Sequence, residues 1–174
     1  MVIVLTGVCG AGKTTVGNLL AKDLQVPFYE GDDYHSPTAL SKMANSIPLT
    51  DNDRQPWLAA LQKLIRLHSR KGETMVMACS ALKKSYRDLL SSGSKEVYFV
   101  LLRGGYELIS TRLKNRQDHF AKVDLLASQI AILEESSECL PVDVTARPEE
   151  IVELIKRRLH PESKYNQPAG TKTA

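Results

Sequence analysis

Apolar residues fall along this chain in short unbroken runs, separated by longer stretches where they recur every three or four positions. The runs are Val2-Ile3-Val4-Leu5, Val26-Pro27-Phe28-Tyr29, Thr74 to Cys79, Val97 to Leu102 and the short Val142-Asp143-Val144. Such runs, lacking the alternation of a half-exposed strand, mark strands buried on both faces, as in parallel sheets. Between them, Val16, Leu19, Leu20 and Leu24 share one helical face, and Trp57, Leu58, Leu61, Leu64, Ile65 and Leu67 form a broader one. Further helices are predicted at about 38–44, 53–69, 83–90, 106–113, 124–134 and 148–159, with Gly72 and Gly93 as stops and Pro148 as a start. Alternating strands and helices predict an α/β fold: one parallel five-stranded sheet covered by helices on both faces. The polar stretch Lys114 to Lys122 reads as a mobile flap, giving a lid at about 114–127. Residues 161–174, rich in Pro, Gly, Lys, Ser and Thr, read as a disordered tail, leaving 1–160 as a single domain.

Composition narrows this picture a little. A net charge of +3 over 174 residues predicts neither a nucleic-acid nor a membrane partner. No apolar run approaches the roughly 18 residues of a membrane span, and the first run leads into a glycine-rich loop, unlike a cleaved leader. Cys9, Cys79 and Cys139 are odd in number and lack C-x-x-C spacing, which predicts neither a disulfide framework nor a zinc site. A reducing, cytoplasmic setting is expected. Cys9 stands where a helix N-terminus favours thiolates, although filling a variable loop position is the simpler reading.

The chemistry begins at Gly7-Val8-Cys9-Gly10-Ala11-Gly12-Lys13-Thr14, which fits G-x-x-x-x-G-K-[ST] between a strand and a helix. Glycines there let backbone N–H groups turn toward a phosphate, and the following helix adds its positive end. Lys13 is expected on the β- and γ-phosphates and Thr14 on Mg²⁺, with Thr15 completing the nucleotide-binding set. No N-K-x-D guanine signature occurs, and the third strand ends in Cys79-Ser80 where a magnesium carboxylate is usual. The acid must therefore come from Glu30-Gly31-Asp32-Asp33, unless that cluster is only a solvated turn. Glu30 and Asp32, with Thr14, form the candidate metal set. Ligands of parallel sheets sit at the strands' carboxyl ends, which groups the loop, this cluster, Ser80 and Arg103 around one crevice. Among Arg54, Lys83, Lys84, Arg87, Arg112, Arg116 and Lys122, each taken singly is better read as a solvated cation. Arg116 is set apart by lying in the flap with His119 and Phe120, where closure would exclude water and place it on phosphate charge. The four histidines have no metal-ligand spacing, and His68 and His160 read as structural or solvated.

Five blocks together resemble the gluconokinases of the phosphate-loop type: Gly7–Thr14; Gly31-Asp32-x-x-His35; Pro48-Leu49-x-Asp51-x-Asp53-Arg54-x-Pro56-Trp57-Leu58; Cys79-Ser80-Ala81-Leu82-Lys83-Lys84-x-Tyr86-Arg87-Asp88; and Arg112-Leu113-x-x-Arg116-x-x-His119-Phe120. Leu125-Leu126-x-Ser128-Gln129 extends the likeness, which runs from Val2 to about Leu159. The resemblance implies a three-layer phosphate-loop kinase fold, related to shikimate kinases, and ATP-dependent, Mg²⁺-dependent phosphorylation of D-gluconate at its 6-hydroxyl, feeding the pentose phosphate pathway. It further implies Asp32 as the base, with Lys13 and Arg116 on the transferred group, and Arg54 on the acceptor carboxylate. His35, Lys83, Arg87 and Gln129 would be further acceptor contacts, and Arg112 would pack on adenine. Members are often homodimers. Ser36, Asp118 and Glu30 depart from the pattern, where proline, glycine and aspartate are usual. The alternatives are a kinase of shikimate or another small hydroxy acid, and a non-catalytic nucleotide-binding protein.

Overall fold

Strands β1 (Val2–Thr6), β2 (Phe28–Glu30), β3 (Met75–Ala78), β4 (Val97–Arg103) and β5 (Cys139–Asp143) form one sheet in the computed structural model. Every pairing is parallel, in the order β2-β3-β1-β4-β5. The structure describes residues 1–45, 47–115 and 120–159, with the side chains of 120–124 left aside. The helices are α1 (Lys13–Leu24), α2 (Pro37–Ala44), α3 (Asp51–Lys71), α4 (Lys84–Ser91), α5 (Tyr106–Lys114), α6 (Phe120–Ile132) and α7 (Pro148–Leu159). No helix among the described residues is long and apolar enough to cross a membrane.

Successive strand residues point to opposite faces, and here both faces are covered. Ile3 and Leu5 of β1 pack with Val76, Val100 and Leu102 against Val16 and Leu20 of α1 and Ile151 and Ile155 of α7. Val2 and Val4 join Met75, Met77, Phe99 and Leu101 against Leu58, Leu61 and Ile65 of α3 and Leu90 of α4. A helix layer on either side makes three layers, as the unbroken apolar runs require.

Several element boundaries differ from expectation, two of them with a clear local cause. Helix α3 begins at Asp51, two residues early, because Thr50 caps it. The Thr50 side chain accepts from Asp53 N at 3.2 Å, and Asp53 Oδ2 accepts from Thr50 N at 2.8 Å. Lys42 Nζ adds a 2.7 Å bond to Asp53 Oδ1, tying α2 to α3. That bond and the cap hold the Asp53 carboxyl down at about 2. Strand β5 starts at Cys139 and contains Pro141, tolerated because β5 is an edge strand. Helix α6 begins at Phe120, four residues early, so part of the expected lid is helical. Residues 116–119 and the tail at 161–174 lie outside the described residues.

Gly31 sets the distance between β2 and β3. A Cβ there would meet Ala78 O at 2.5 Å and Cys79 Cα at 3.4 Å, while the Gly31 carbonyl accepts the Trp57 indole N–H at 2.7 Å. Gly31→Ala is expected to cost about 1–3 kcal/mol by overpacking, lowering the denaturant midpoint, and to push Asp32 out of place. A midpoint equal to wild type would mean that the end of β2 yields freely.

Candidate active site

Chain reversal around β1, with β3 on one side and β4 on the other, opens a crevice at the carboxyl ends of the strands. The loop leaving β1 enters it. Gly12 adopts φ 94° immediately before α1, a backbone that side chains rarely accept, and it caps the helix without a side-chain bond. The first N–H groups of α1 therefore remain for an anion. The loop is tied to the turn after β3, where Ser80 O accepts both the Thr6 hydroxyl and Gly7 N–H. Lys13 folds back, donating to Gly7 O at 3.0 Å and Val8 O at 2.9 Å. Burial pushes its pKa down, and the Asp32 charge opposes that shift.

A cleft of about 640 Å³ opens beside the loop. Lys13, Thr14, Glu30, Asp32, His35 and Arg54 are among its polar lining residues. Thr14 Oγ1 donates to Glu30 Oε2 at 2.7 Å. Burial pushes the Glu30 carboxyl up, and this hydrogen bond opposes it. Asp32 comes from the 3₁₀ turn Gly31–Tyr34, and its Oδ1 stands 3.8 Å from His35 Nε2. The His35 side chain is only 4% exposed and stacks on Trp57, with ring centroids 4.5 Å apart and planes 12° from parallel. Burial lowers the His35 pKa, so a neutral ring faces the cleft near pH 7. Ser36, the departure from proline, caps α2 by accepting Ala39 N–H at 3.2 Å. Helix α2 and the segment after it close one side with Met43, Ala44, Ile47 and Leu49.

A second cavity of about 370 Å³ lies across the loop, sharing Gly10 and Gly12 with the first and lined by Thr15, Arg112, Asn115 and Pro148. Arg112 Nη2 donates to Val144 O at 2.7 Å, which fixes the guanidinium at this cavity. Two cavities divided by a phosphate loop can hold a nucleoside on one side and a phosphoryl acceptor on the other.

The model of the shikimate kinase family matches residues 9–159. A gluconokinase of Arabidopsis thaliana is 40% identical over 92% of this chain and 95% of its own. The thermoresistant gluconokinase of Escherichia coli is 38% identical over 90% and 94%. The chain belongs to the gluconokinase family. A solved gluconokinase from Sinorhizobium meliloti superposes with a TM-score of 0.82 at 42% identity, covering 91% of each chain. The protein is thus a phosphate-loop kinase using a nucleotide.

Against gluconokinase expectations, the described residues divide into two groups. The loop, Thr14, Glu30, Asp32, His35, Arg54, Ser80 and Gln129 meet at the acceptor cleft, and Arg112 at the second cavity. Gln129, from α6, is already engaged, with its Oε1 accepting Cys9 N–H at 2.6 Å. Arg87, Lys83 and Arg103 do not line the cleft. Arg87 is 1% exposed and spends its N–H groups on backbone and side-chain acceptors inside the fold, so it is no acceptor contact. Lys83 is drawn to Asp51 at 2.8 Å, and Arg103 pairs with Glu135 at 3.1 Å. Cys79 is buried and its thiol is pushed up to about 12, so it is inert. Arg116, Asp118, His119 and the side chains of Phe120 and Lys122 lie outside the described residues. Trp57 was legible as part of an apolar helix face and of a family block, but without a role. Its role as the floor under His35 and the partner of Gly31 depends on a contact 26 residues away.

Proposed function

We propose that this kinase transfers the γ-phosphoryl group of ATP to the 6-hydroxyl of D-gluconate, forming 6-phospho-D-gluconate. The observation that carries this reading is the single cleft in which Asp32, His35 and Arg54 stand beside Lys13 and Thr14. Relatives named gluconokinases at about 40% identity over nine-tenths of the chain support the choice of acceptor.

Asp32 takes the hydroxyl proton as the bond to phosphorus forms. Lys13 exchanges the Gly7 and Val8 carbonyls for phosphate oxygens. Arg54 presents a planar fork to the carboxylate, a pairing far better matched than guanidinium to a sugar hydroxyl. His35, neutral on its Trp57 platform, offers a hydrogen bond to a polyol without adding charge. Arg112 lines the nucleoside side. Arg116 is assigned to the phosphates on the strength of the sequence alone.

Among the described residues no three His, Cys, Asp or Glu side chains gather into a metal cage. The hydroxyl of Thr14 with the carboxylates of Glu30 and Asp32 is an all-oxygen set, of the kind that holds Mg²⁺ through one or two carboxylates and substrate phosphates. The residues therefore fit the ion, which when bound neutralises charge on the β- and γ-phosphates. The same reading places the protein in the cytoplasm, in keeping with three thiols that form no disulfide.

ADP release with Mg-ATP, measured against D-gluconate, shikimate and no acceptor, tests the proposal. Release with D-gluconate alone is expected. Release with shikimate would overturn the acceptor, and no acceptor dependence at all would overturn the transfer reaction.

A further inference from the structure

Arg54 reaches the acceptor cleft with its guanidinium already under constraint. Its Nη1 donates to Leu49 O at 2.6 Å, and its Cζ lies 5.9 Å from the centroid of the Tyr86 ring. The same nitrogen stands 3.7 Å from Asp51 Oδ1. Asp51 in turn is clamped from α4 and the residue before it. Lys83 Nζ donates to both carboxylate oxygens, at 2.9 and 2.8 Å, and the Tyr86 hydroxyl donates to Oδ1. Lys83 Nζ also sits 5.4 Å from the Tyr86 centroid. Asp51, Lys83 and Tyr86 do not line the cleft themselves.

This arrangement raises an electrostatic question. A carboxylate beside Arg54 occupies the field that an acceptor carboxylate needs. Left alone, Asp51 would compete with the substrate for the guanidinium. With Lys83 donating twice to Asp51, the three groups sum to one positive charge, and that charge is left on the residue facing the cleft. Asp51 loses its pull on Arg54 but keeps its place as a stop for the side chain. The directions of titration agree: the Lys83 and Tyr86 hydrogen bonds hold the Asp51 carboxyl low, and Asp51 raises Lys83, so both stay charged across the neutral range.

We propose that Asp51, clamped by Lys83 and Tyr86, is a positioning residue for Arg54, and that Lys83 serves the acceptor by neutralising Asp51 without touching the substrate. The inference rests on reading the cleft as a site for a sugar-acid carboxylate.

Steady-state kinetics with D-gluconate and ATP varied in turn provide the test, on wild type, Lys83→Met, Lys83→Arg and the double variant Asp51→Asn/Lys83→Met. Lys83→Met is expected to raise the KM for gluconate about tenfold, with kcat and the KM for ATP within about threefold, because the loss is of acceptor binding alone. Lys83→Arg keeps the charge and should keep the KM. The double variant, having lost the competing carboxylate, should recover most of the gluconate KM lost in Lys83→Met. Simple structural damage would not be repaired by a second substitution. Lys83→Gln replaces Lys83→Met if the latter fails to melt cooperatively. A double variant no better than the single one, or a loss shared equally by kcat and the KM for ATP, would overturn the inference. A wild-type protein that releases no ADP with gluconate would overturn the functional reading, and this inference with it, before any variant is compared.

Discussion

Asp32→Asn is expected to lower acceptor-dependent turnover by about 10²–10⁴-fold, the range a positioned general base contributes, while ATP affinity stays within a few-fold of wild type. The asparagine keeps the size and one carbonyl oxygen of the aspartate but cannot take a proton. Folding should not confuse the result. Asp32 sits on the 3₁₀ turn after β2 with its side chain 59% exposed, and its Oδ1 stands 3.8 Å from the neutral His35 ring. The turn is held by other contacts, chiefly the Trp57 indole on Gly31 O. Parallel measurement of kcat, nucleotide binding and melting temperature separates the outcomes. Retention of more than about a tenth of wild-type kcat would fall short of what loss of a base implies and would move the proton to another acceptor. Loss of ATP binding with kcat would instead make Asp32 chiefly a metal ligand.

How much of this site the sequence discloses depends on how local each feature is. The phosphate loop is legible because its chemistry is written in consecutive residues: glycines that permit the turn, a lysine, a hydroxyl, and a helix to follow. The buried strands are legible because a sheet covered on both faces leaves no polar alternation to confuse the reading. The start of α3 was readable in principle, since Thr50-x-x-Asp53 is a capping pattern, but the apolar periodicity pointed two residues later. Strand β5 was expected only over Val142-Asp143-Val144, and the Pro141 it contains is acceptable because of its edge position, a fact of topology. The basic residues were the least legible. Arg54, Lys83 and Arg87 look alike along the chain. One faces the cleft, one faces a carboxylate 32 residues away, and one faces carbonyls inside the fold. Nothing in their spacing tells these fates apart, because each is decided by partners that the fold brings in from elsewhere.

Arg87→Met is accordingly expected to act on stability and to leave acceptor binding nearly alone. Every N–H of this buried guanidinium has an acceptor: Ala81 O and Leu82 O at 3.0 Å each, Glu134 O at 2.8 Å, Ser136 Oγ at 2.9 Å and Glu138 Oε1 at 3.2 Å. Methionine fills part of the space and satisfies none of them. Removing one partner of such a buried charged network costs about 3–5 kcal/mol, which for a chain of this size is on the order of 10 °C in Tm. The backbone adds to the argument. Ala81 holds φ 37°, a left-handed conformation unusual for a residue with a Cβ, and its carbonyl is one of those that Arg87 grips. Without that grip the turn joining Ser80 to Lys83 is free to relax. Arg87→Lys should recover little, since one ammonium cannot reproduce a planar fork with acceptors on three nitrogens. Urea and thermal unfolding of both variants, with gluconate KM measured well below the melting transition, distinguish the roles. A variant that melts like wild type but raises gluconate KM by an order of magnitude or more, about 1.4 kcal/mol of lost binding, would return Arg87 to the acceptor. Early melting with an unchanged KM fits an arginine that fastens α4 and the turn before it to the 134–138 segment.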